Sequence, residues 1–173
     1  MILRKISELS DADARRLMDV YAESNRENVD YFFPGTEDRE AALLSIERDF
    51  IELVRGLLLK EGNAYWVLEE AGEWLCALRT YTVGERLFYI EALETRPDSR
   101  RRGLAKKLLL GVVGELKRGG AFRICDCVDK ENLPSVRAHG SAGFTIVADP
   151  AHNYLSGGDC EWEYGFGYSY DPE

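Results

Sequence analysis

Apolar positions change their period several times along the chain, and each change predicts an element. Ile2 to Ile6 is apolar enough for a short first strand. Ser10 then opens a helix, with Asp13 three residues later completing a capping box, and Ala14, Leu17, Met18 and Tyr21 follow at helical spacing. Asn28 to Gly35 breaks that pattern and exposes three consecutive aromatics. A second helix runs from about Thr36, with acids in its first turn, to about Lys60, and Gly62 stops it. Three segments rich in β-branched and aromatic residues come next: AYWVLEE, WLCALRTYTV and RLFYIEALET. Turn signals at Gly72 and Gly84 separate them, which predicts an antiparallel meander.

After Pro97 the period returns to that of a helix, with Leu104, Leu108, Val112 and Leu116 in an i, i+4 stripe that Gly119-Gly120 ends. Phe122 to Val128 is a strand, Asn132 to about Ala142 a short helix and Phe144 to Val147 a strand. From Cys160 to Tyr170, Trp162, Tyr164, Phe166 and Tyr168 alternate with Glu161, Glu163, Gly165 and Gly167, which predicts a final strand. The order is β-α-α-β-β-β-α-β-α-β-β. It describes an α/β mixed sheet whose antiparallel N-terminal half precedes a βαβ C-terminal half, with helices on both faces. Neither a linker nor a repeat interrupts residues 1–173, so one domain is expected.

Composition narrows the function classes. The chain has 173 residues, 45 % hydrophobic and 31 % charged, a globular balance. Its formal net charge of −9 opposes binding to nucleic acid or to an anionic membrane surface. The stretch Leu108 to Val113 is far shorter than the roughly 20 apolar residues of a membrane span. The start MILRKISELSDAD lacks the apolar core of a signal peptide, so a cytoplasmic location is expected. Cys125 and Cys127 share one strand face, poor geometry for a mutual disulfide, and the four cysteines lack the paired spacing of a zinc site. They are expected to be small buried side chains, with no metal bound.

Charge distribution alters this picture. Residues 96–107 carry six basic side chains and one acid, net +5, so the remaining residues carry −14. Arg100, Arg101, Arg102, Lys106 and Lys107 crowd the start of a helix, the end that already bears partial positive charge. An anion bound there removes the conflict. Free N–H groups of the first turn, approached closely at Gly103, form a phosphate cradle. The plain alternative is a solvated basic helix start that steers a partner. Neither a G-x-x-x-x-G-K-[ST] loop nor a G-x-G-x-x-G loop is present.

Arg100-x-x-Gly103-x-Ala105 resembles the R/Q-x-x-G-x-G/A pyrophosphate loop of the GNAT superfamily of acyl-CoA-dependent N-acetyltransferases. Leu93-x-Thr95-x-Pro97 resembles that family's L-x-V-x-P strand end. Asn132-x-x-Ser135-x-x-x-His139-x-x-x-Gly143-Phe144 is similar to its N-x-x-A-x-x-x-Y-x-x-x-G-F block. The likeness extends from about Ala64 to Tyr168, and the order of elements is also the family's.

The resemblance implies acetyl transfer from acetyl-CoA to a primary amine by direct attack in a ternary complex. Backbone groups of Leu93 and Thr95 would pair with the pantetheine arm, and a backbone N–H near Leu93 or Glu94 would polarise the thioester carbonyl. The N–H groups of Arg101, Arg102, Gly103, Leu104, Ala105 and Lys106 would hold the pyrophosphate, with arginine side chains, Arg100 included, reaching outer phosphates. Asn132 would cap its helix and contact the acyl-CoA arm beside Ser135. Family members often carry a glutamate base on the strand before the loop. Period-two alternation puts Glu91 on the face of Leu93 and Thr95, and Glu94 on the other, so Glu91 is the expected base. His139 stands where most members have a tyrosine acid, and an imidazole can serve as acid near neutral pH.

Tyr31, Phe32 and Phe33, with a mobile closing loop Asp149 to Asp159, are expected to wall the acceptor pocket. The acidity outside residues 96–107 suits a small, cationic amine, and a homodimer is left open. A non-catalytic CoA-binding or interaction module on the same fold is the alternative, since fold alone does not establish chemistry.

Overall fold

The computed structural model describes residues 1–172. Strand β1 (Ile2–Ile6) leads into helices α1 (Asp11–Val20), α2 (Ala22–Phe32) and α3 (Arg39–Leu58). The meander follows as β2 (Ala64–Glu70), β3 (Glu73–Gly84) and β4 (Leu87–Thr95). A short 3₁₀ turn, Pro97–Ser99, connects to α4 (Leu104–Lys117). Then come β5 (Phe122–Asp129), α5 (Leu133–Ser141), β6 (Thr145–Ala148), β7 (Ala151–Asn153), β8 (Gly158–Cys160) and β9 (Glu163–Tyr170). The main sheet has seven strands in the order β1-β2-β3-β4-β5-β9-β6. All neighbours in it are antiparallel except β4 and β5.

Helices cover both faces of the sheet. On one, Leu104, Leu108, Leu109, Val112 and Val113 of α4 pack on Trp66, Leu78, Ile90 and Ile124. On the other, Leu17, Val20 and Tyr21 pack with Val54 on Tyr65, Val67 and Ala77. Ser10 caps α1, its Oγ accepting from Asp13 N–H at 3.1 Å, but the Asp13 carboxylate accepts from the Ser10 hydroxyl at 2.9 Å instead of closing a capping box on the Ser10 backbone N–H. No helix among the described residues is long and apolar enough to cross a membrane.

Three segments depart from the pattern-based expectation. Asn28 to Phe32 continues α2 instead of breaking it. The chain leaves the helix at Phe33 (φ −130°, ψ 58°), because Pro34 disfavours helical geometry in the residue before it. The segment Asp149 to Asp159 is not a plain loop, since β7 and β8 pair within it as a small hairpin. The last strand starts at Glu163, and Trp162 lies in the preceding turn, 71 % exposed, instead of sharing the aromatic face.

One irregularity of the main sheet shapes the site. β4 and β5 pair only from Leu87↔Arg123 to Ile90↔Asp126, and beyond that point the two strands have no ladder between them. The divergence coincides with a β-bulge in β4. Arg79 opposes Glu91 and Ala77 opposes Glu94, so Ala92 and Leu93 together face Leu78. Ala92 is left-handed, at φ 56°. A non-glycine residue held there costs about 1–2 kcal/mol, so the surrounding structure must hold it in place.

Candidate active site

The bulge overturns one expectation about faces. Directly opposed residues of antiparallel strands share a face. Ala77 belongs to the core under α1 and α3, whereas Cys76, opposite Thr95, belongs to the core under α4. Glu91 and Glu94 therefore look toward the α1–α3 side, and Leu93 and Thr95 look toward α4. Period-two alternation fails because the bulge inserts one extra residue between Glu91 and Leu93.

On the α1–α3 side, Glu91 is held tightly. Its Oε2 accepts from Arg79 Nε at 2.8 Å, from Arg79 Nη2 at 2.5 Å and from the Tyr81 hydroxyl at 3.2 Å. The Glu91 side chain is 32 % exposed, and its Oε1 takes no hydrogen bond among the described residues. Arg79 Nη1 is buried without a hydrogen-bond partner among the described residues, and the guanidinium lies against the rings of Phe50 and Tyr81. Burial, with the neighbouring Glu91 charge adding to it against Arg79, pushes the Tyr81 hydroxyl up to about 12, so it stays a donor. Glu94 is bound by Arg100 Nη2 at 3.1 Å, and Glu23 of α2 shares that guanidinium. Burial holds the Glu94 carboxyl above its usual range, with Arg100 opposing the shift.

The chain end of β4 runs into the segment expected to cradle an anion. Gly103 is the N-cap of α4, left-handed at φ 71°, and no side chain caps the helix. The first helical bond there is Lys107 N–H to the Gly103 carbonyl, at 3.1 Å. A Cβ placed on Gly103 meets nothing within 4 Å, so the approach to the backbone is open. The N–H groups of Leu104, Ala105 and Lys106 head the helix, where anions are favoured. Arg101 also adopts a positive φ, 62°.

The basic side chains here are less available than their number suggests. Arg96 pairs with Asp98 and Glu73, Arg100 with Glu23 and Glu94, and Arg102 with Glu70 at 2.7 Å. Arg100 also folds back to donate to the Thr95 carbonyl at 3.2 Å. Arg101, Lys106 and Lys107 make no ion pair among the described residues. The residues present therefore fit a pyrophosphate through backbone N–H groups more than through arginine side chains.

Across the divergence, β5 leads to α5. Asn132 caps α5, its Oδ1 accepting from Ser135 N–H at 3.1 Å. His139 is 1 % exposed. Its Nε2 lies 2.7 Å from Asp126 Oδ2, and its Nδ1 lies 2.9 Å from the Ser135 carbonyl and 3.4 Å from Ser135 Oγ. Burial pushes the Asp126 carboxyl up, with the His139 bond opposing. Burial pulls His139 down, but the hydrogen bond and charge of Asp126 outweigh it and keep the imidazole above its ordinary value. Both nitrogens of this enclosed imidazole are engaged within the fold, so neither is turned toward a departing group in this arrangement.

Tyr31, Phe32 and Phe33 are 78 %, 61 % and 38 % exposed, so they are not core. The structure does not gather them with the rest. α2 meets the site through Glu23 in its first turn, and Tyr31 lies about 12 Å further along the helix. The cysteines are all free; Cys76 is buried, and Cys125, Cys127 and Cys160 are half-buried. Sequence reasoning missed Arg79, Tyr81 and Asp126. The last had a signal, since it shares the inward face of β5 with Ile124 and Val128, where a carboxylate needs a partner.

The family described as Acetyltransferase (GNAT) matches residues 17–144. None of the curated proteins matches the chain by sequence. Among solved structures, PaiA N-acetyltransferase from Thermoplasma acidophilum, in complex with coenzyme A, superposes with a TM-score of 0.67 at 15 % identity, covering 98 % of this chain and 100 % of that one. Spermidine N-acetyltransferase from Vibrio cholerae, in complex with CoA and spermine, gives 0.64 at 14 % identity, covering 96 % and 95 %. A GNAT superfamily phosphinothricin acetyltransferase from Sinorhizobium meliloti, in complex with AcCoA, gives 0.64 at 18 % identity, covering 99 % and 90 %. These likenesses show the fold. The splayed β4 and β5, the bulge and the uncapped α4 together agree with the family match over residues 17–144: the chain belongs to the GNAT acetyltransferase family.

Proposed function

We propose that this protein is an N-acetyltransferase that moves an acetyl group from acetyl-CoA to a small primary amine by direct attack in a ternary complex. The observation that carries the reading is the divergence of β4 from β5, which begins at the bulge and opens toward the uncapped N-terminus of α4. Acetyl-CoA supplies the acetyl group as an activated thioester. The backbone of Leu93, Glu94 and Thr95 would line its arm. The N–H groups from Arg101 to Lys106 would hold its phosphates, and Asn132 and Ser135 at the start of α5 would bound the arm on the far side.

Glu91 is the proposed base. Arg79 and Tyr81 occupy Oε2 and fix the carboxylate, while Oε1 is left to take a proton from the amine or from an intervening water. Glu23 and Glu94 share the single cation Arg100 on this face, and that surplus of carboxylate, with the acidity of the chain outside residues 96–107, suits a cationic acceptor. Tyr31, Phe32 and Phe33 would contact only an acceptor long enough to extend along α2. His139 enters as the buried partner of Asp126 rather than as a direct acid. A homodimer acting in the cytoplasm fits this reading.

That arrangement of His139 also favours the second reading, a CoA-binding module without turnover. One experiment separates the two. Isothermal titration with acetyl-CoA is combined with an amine panel of polyamines, aminoglycosides, amino acids and peptides, read by release of free thiol. Binding with turnover of one amine class supports the enzyme. Binding with slow hydrolysis alone supports the module, and no binding at millimolar ligand removes both.

A further inference from the structure

The bulge in β4 has a holder outside the sheet. Leu78 of β3 faces two residues of β4, Ala92 and Leu93. The Ala92 carbonyl accepts a hydrogen bond from a side chain 71 residues away, the hydroxyl of Tyr21, at 2.5 Å. The Tyr65 hydroxyl in turn donates to the Tyr21 oxygen at 2.8 Å. Both rings are buried, at 5 % and 1 % exposure. Phe50 of α3 packs edge-on against Tyr21, with ring centroids 4.8 Å apart. Ala92 packs against the core to which both tyrosines belong.

Tyr21 occupies an unusual place in the chain. It is the junction of α1 and α2, at φ −94° and ψ 12°, and it keeps helical hydrogen bonds on both sides: its N–H to the Leu17 carbonyl and its carbonyl from Asn25 N–H. The helical assignment is interrupted at the residue whose phenol reaches the strand. Burial above all holds the Tyr21 hydroxyl well above its ordinary value, and burial raises Tyr65 likewise, so neither ionises near neutral pH and both remain donors.

We propose that Tyr21, backed by Tyr65, is a positioning residue for acetyl transfer: it fixes the Ala92–Leu93 peptide so that the Leu93 N–H is held ready for the thioester oxygen. In a planar trans peptide, carbonyl and N–H point in opposite directions. A carbonyl fixed on Tyr21 therefore fixes the Leu93 N–H on the other side of that peptide, away from α1. Donors for a developing oxyanion act through being placed beforehand, with no reorganisation left for the moment of reaction. A left-handed alanine with a loose carbonyl would not provide that. The inference rests on the acetyl-transfer reading for its purpose, and on the free protein for its geometry.

Three variants test it. Tyr21→Phe keeps the ring and its contact with Phe50 but removes the donor. Tyr65→Phe removes only the backing hydroxyl. Val54→Ala thins the same core and leaves both hydroxyls and the Phe50 ring in place. In Tyr21→Phe, kcat is expected to fall about 10- to 100-fold, with KM for acetyl-CoA and the Kd of CoA within about threefold of wild type. Tyr65→Phe falls less, and Val54→Ala lowers Tm while keeping kcat within about twofold. A second readout uses the free protein. The backbone amide of Leu93, followed by NMR, shifts and exchanges faster in Tyr21→Phe and stays as in wild type in Val54→Ala. Wild-type kcat and an unchanged Leu93 amide in Tyr21→Phe would overturn the proposal, as would Val54→Ala reproducing both effects. If the wild type acetylates no amine at all, the transfer reading falls, and the Leu93 amide still decides whether the hydroxyl pair holds the bulge.

Discussion

Arg79 grips a single oxygen of Glu91 from two of its nitrogens, at 2.8 and 2.5 Å, and thereby sorts the carboxylate into a structural oxygen and a free one. The pairing joins adjacent strands directly opposite each other, at the last register before the bulge. The side chain that anchors the strand is thus the same one proposed as the base. Changes at either residue should separate anchoring from proton transfer.

Glu91→Gln keeps a carbonyl oxygen for Arg79 and loses the basic group. Turnover with the preferred amine is expected to drop about 100-fold or more, within the range for a general base, while calorimetric affinity for acetyl-CoA stays near wild type. Arg79→Met instead removes both charge-assisted bonds, at a cost of about 2 kcal/mol in urea unfolding. Equal turnover in Glu91→Gln and wild type would assign the proton to water alone.

The His139–Asp126 pair should report itself in stability more than in rate. His139→Ala leaves the Asp126 carboxylate buried without its partner, which costs about 3–5 kcal/mol. Chemical denaturation measures that loss directly. Per folded molecule, turnover is expected to change by less than about threefold, against the hundredfold or more of a lost general acid. A large fall in turnover of the folded fraction would restore the imidazole to a chemical role.

The same pair sets a pH dependence with a definite sign. Both groups bind protons more tightly in the folded chain than in the unfolded one. Stability falls with rising pH wherever the native state holds more protons. The imidazole's share is fully present below about 6.5, its unfolded value, and is lost as pH climbs through its higher folded value. Tm followed from about pH 6 to about pH 9 should decline in the wild type, and Asp126→Asn, which removes the charge that raises the imidazole, should show a shallower decline. A steeper decline in the variant would contradict the pairing.

Gly103→Ala tests the cradle. The added methyl meets open space, so its cost is conformational, about 1 kcal/mol for leaving a left-handed glycine. A drop of a few degrees in Tm is expected, with a disproportionate loss of acetyl-CoA affinity, because the N–H groups at the start of α4 must keep their aim. Calorimetry that shows unchanged affinity would move the phosphates elsewhere.

Much of this architecture was legible in the chain because its elements are regular. The i, i+4 stripe from Leu104 to Leu116 and the paired strands around Gly72 and Gly84 declare themselves by period. Gly103 and the basic run beside it drew attention to the start of α4, which the structure leaves without a side-chain cap. What stayed hidden depends on contacts distant in sequence or on a change of register. The bulge at Ala92 shifts which face Glu94 takes, and no local pattern announces one extra residue. Tyr21 reads as another member of a helical stripe, since its partner lies 71 residues on. His139 looked like an available acid because burial and the reach of Asp126 belong to the folded chain alone.

The internal pairing of Arg96, Arg100 and Arg102 has a consequence for how the cradle meets solvent. Three of the six cations between residues 96 and 107 already have carboxylates as their counterions. A phosphate arriving at α4 then displaces the mobile counterions of Arg101, Lys106 and Lys107 alone, so raising the salt concentration should weaken its hold less than six unpaired cations would. Replacing Arg102 and Glu70 together should therefore change acetyl-CoA affinity little, provided the backbone at Gly103 keeps its turn.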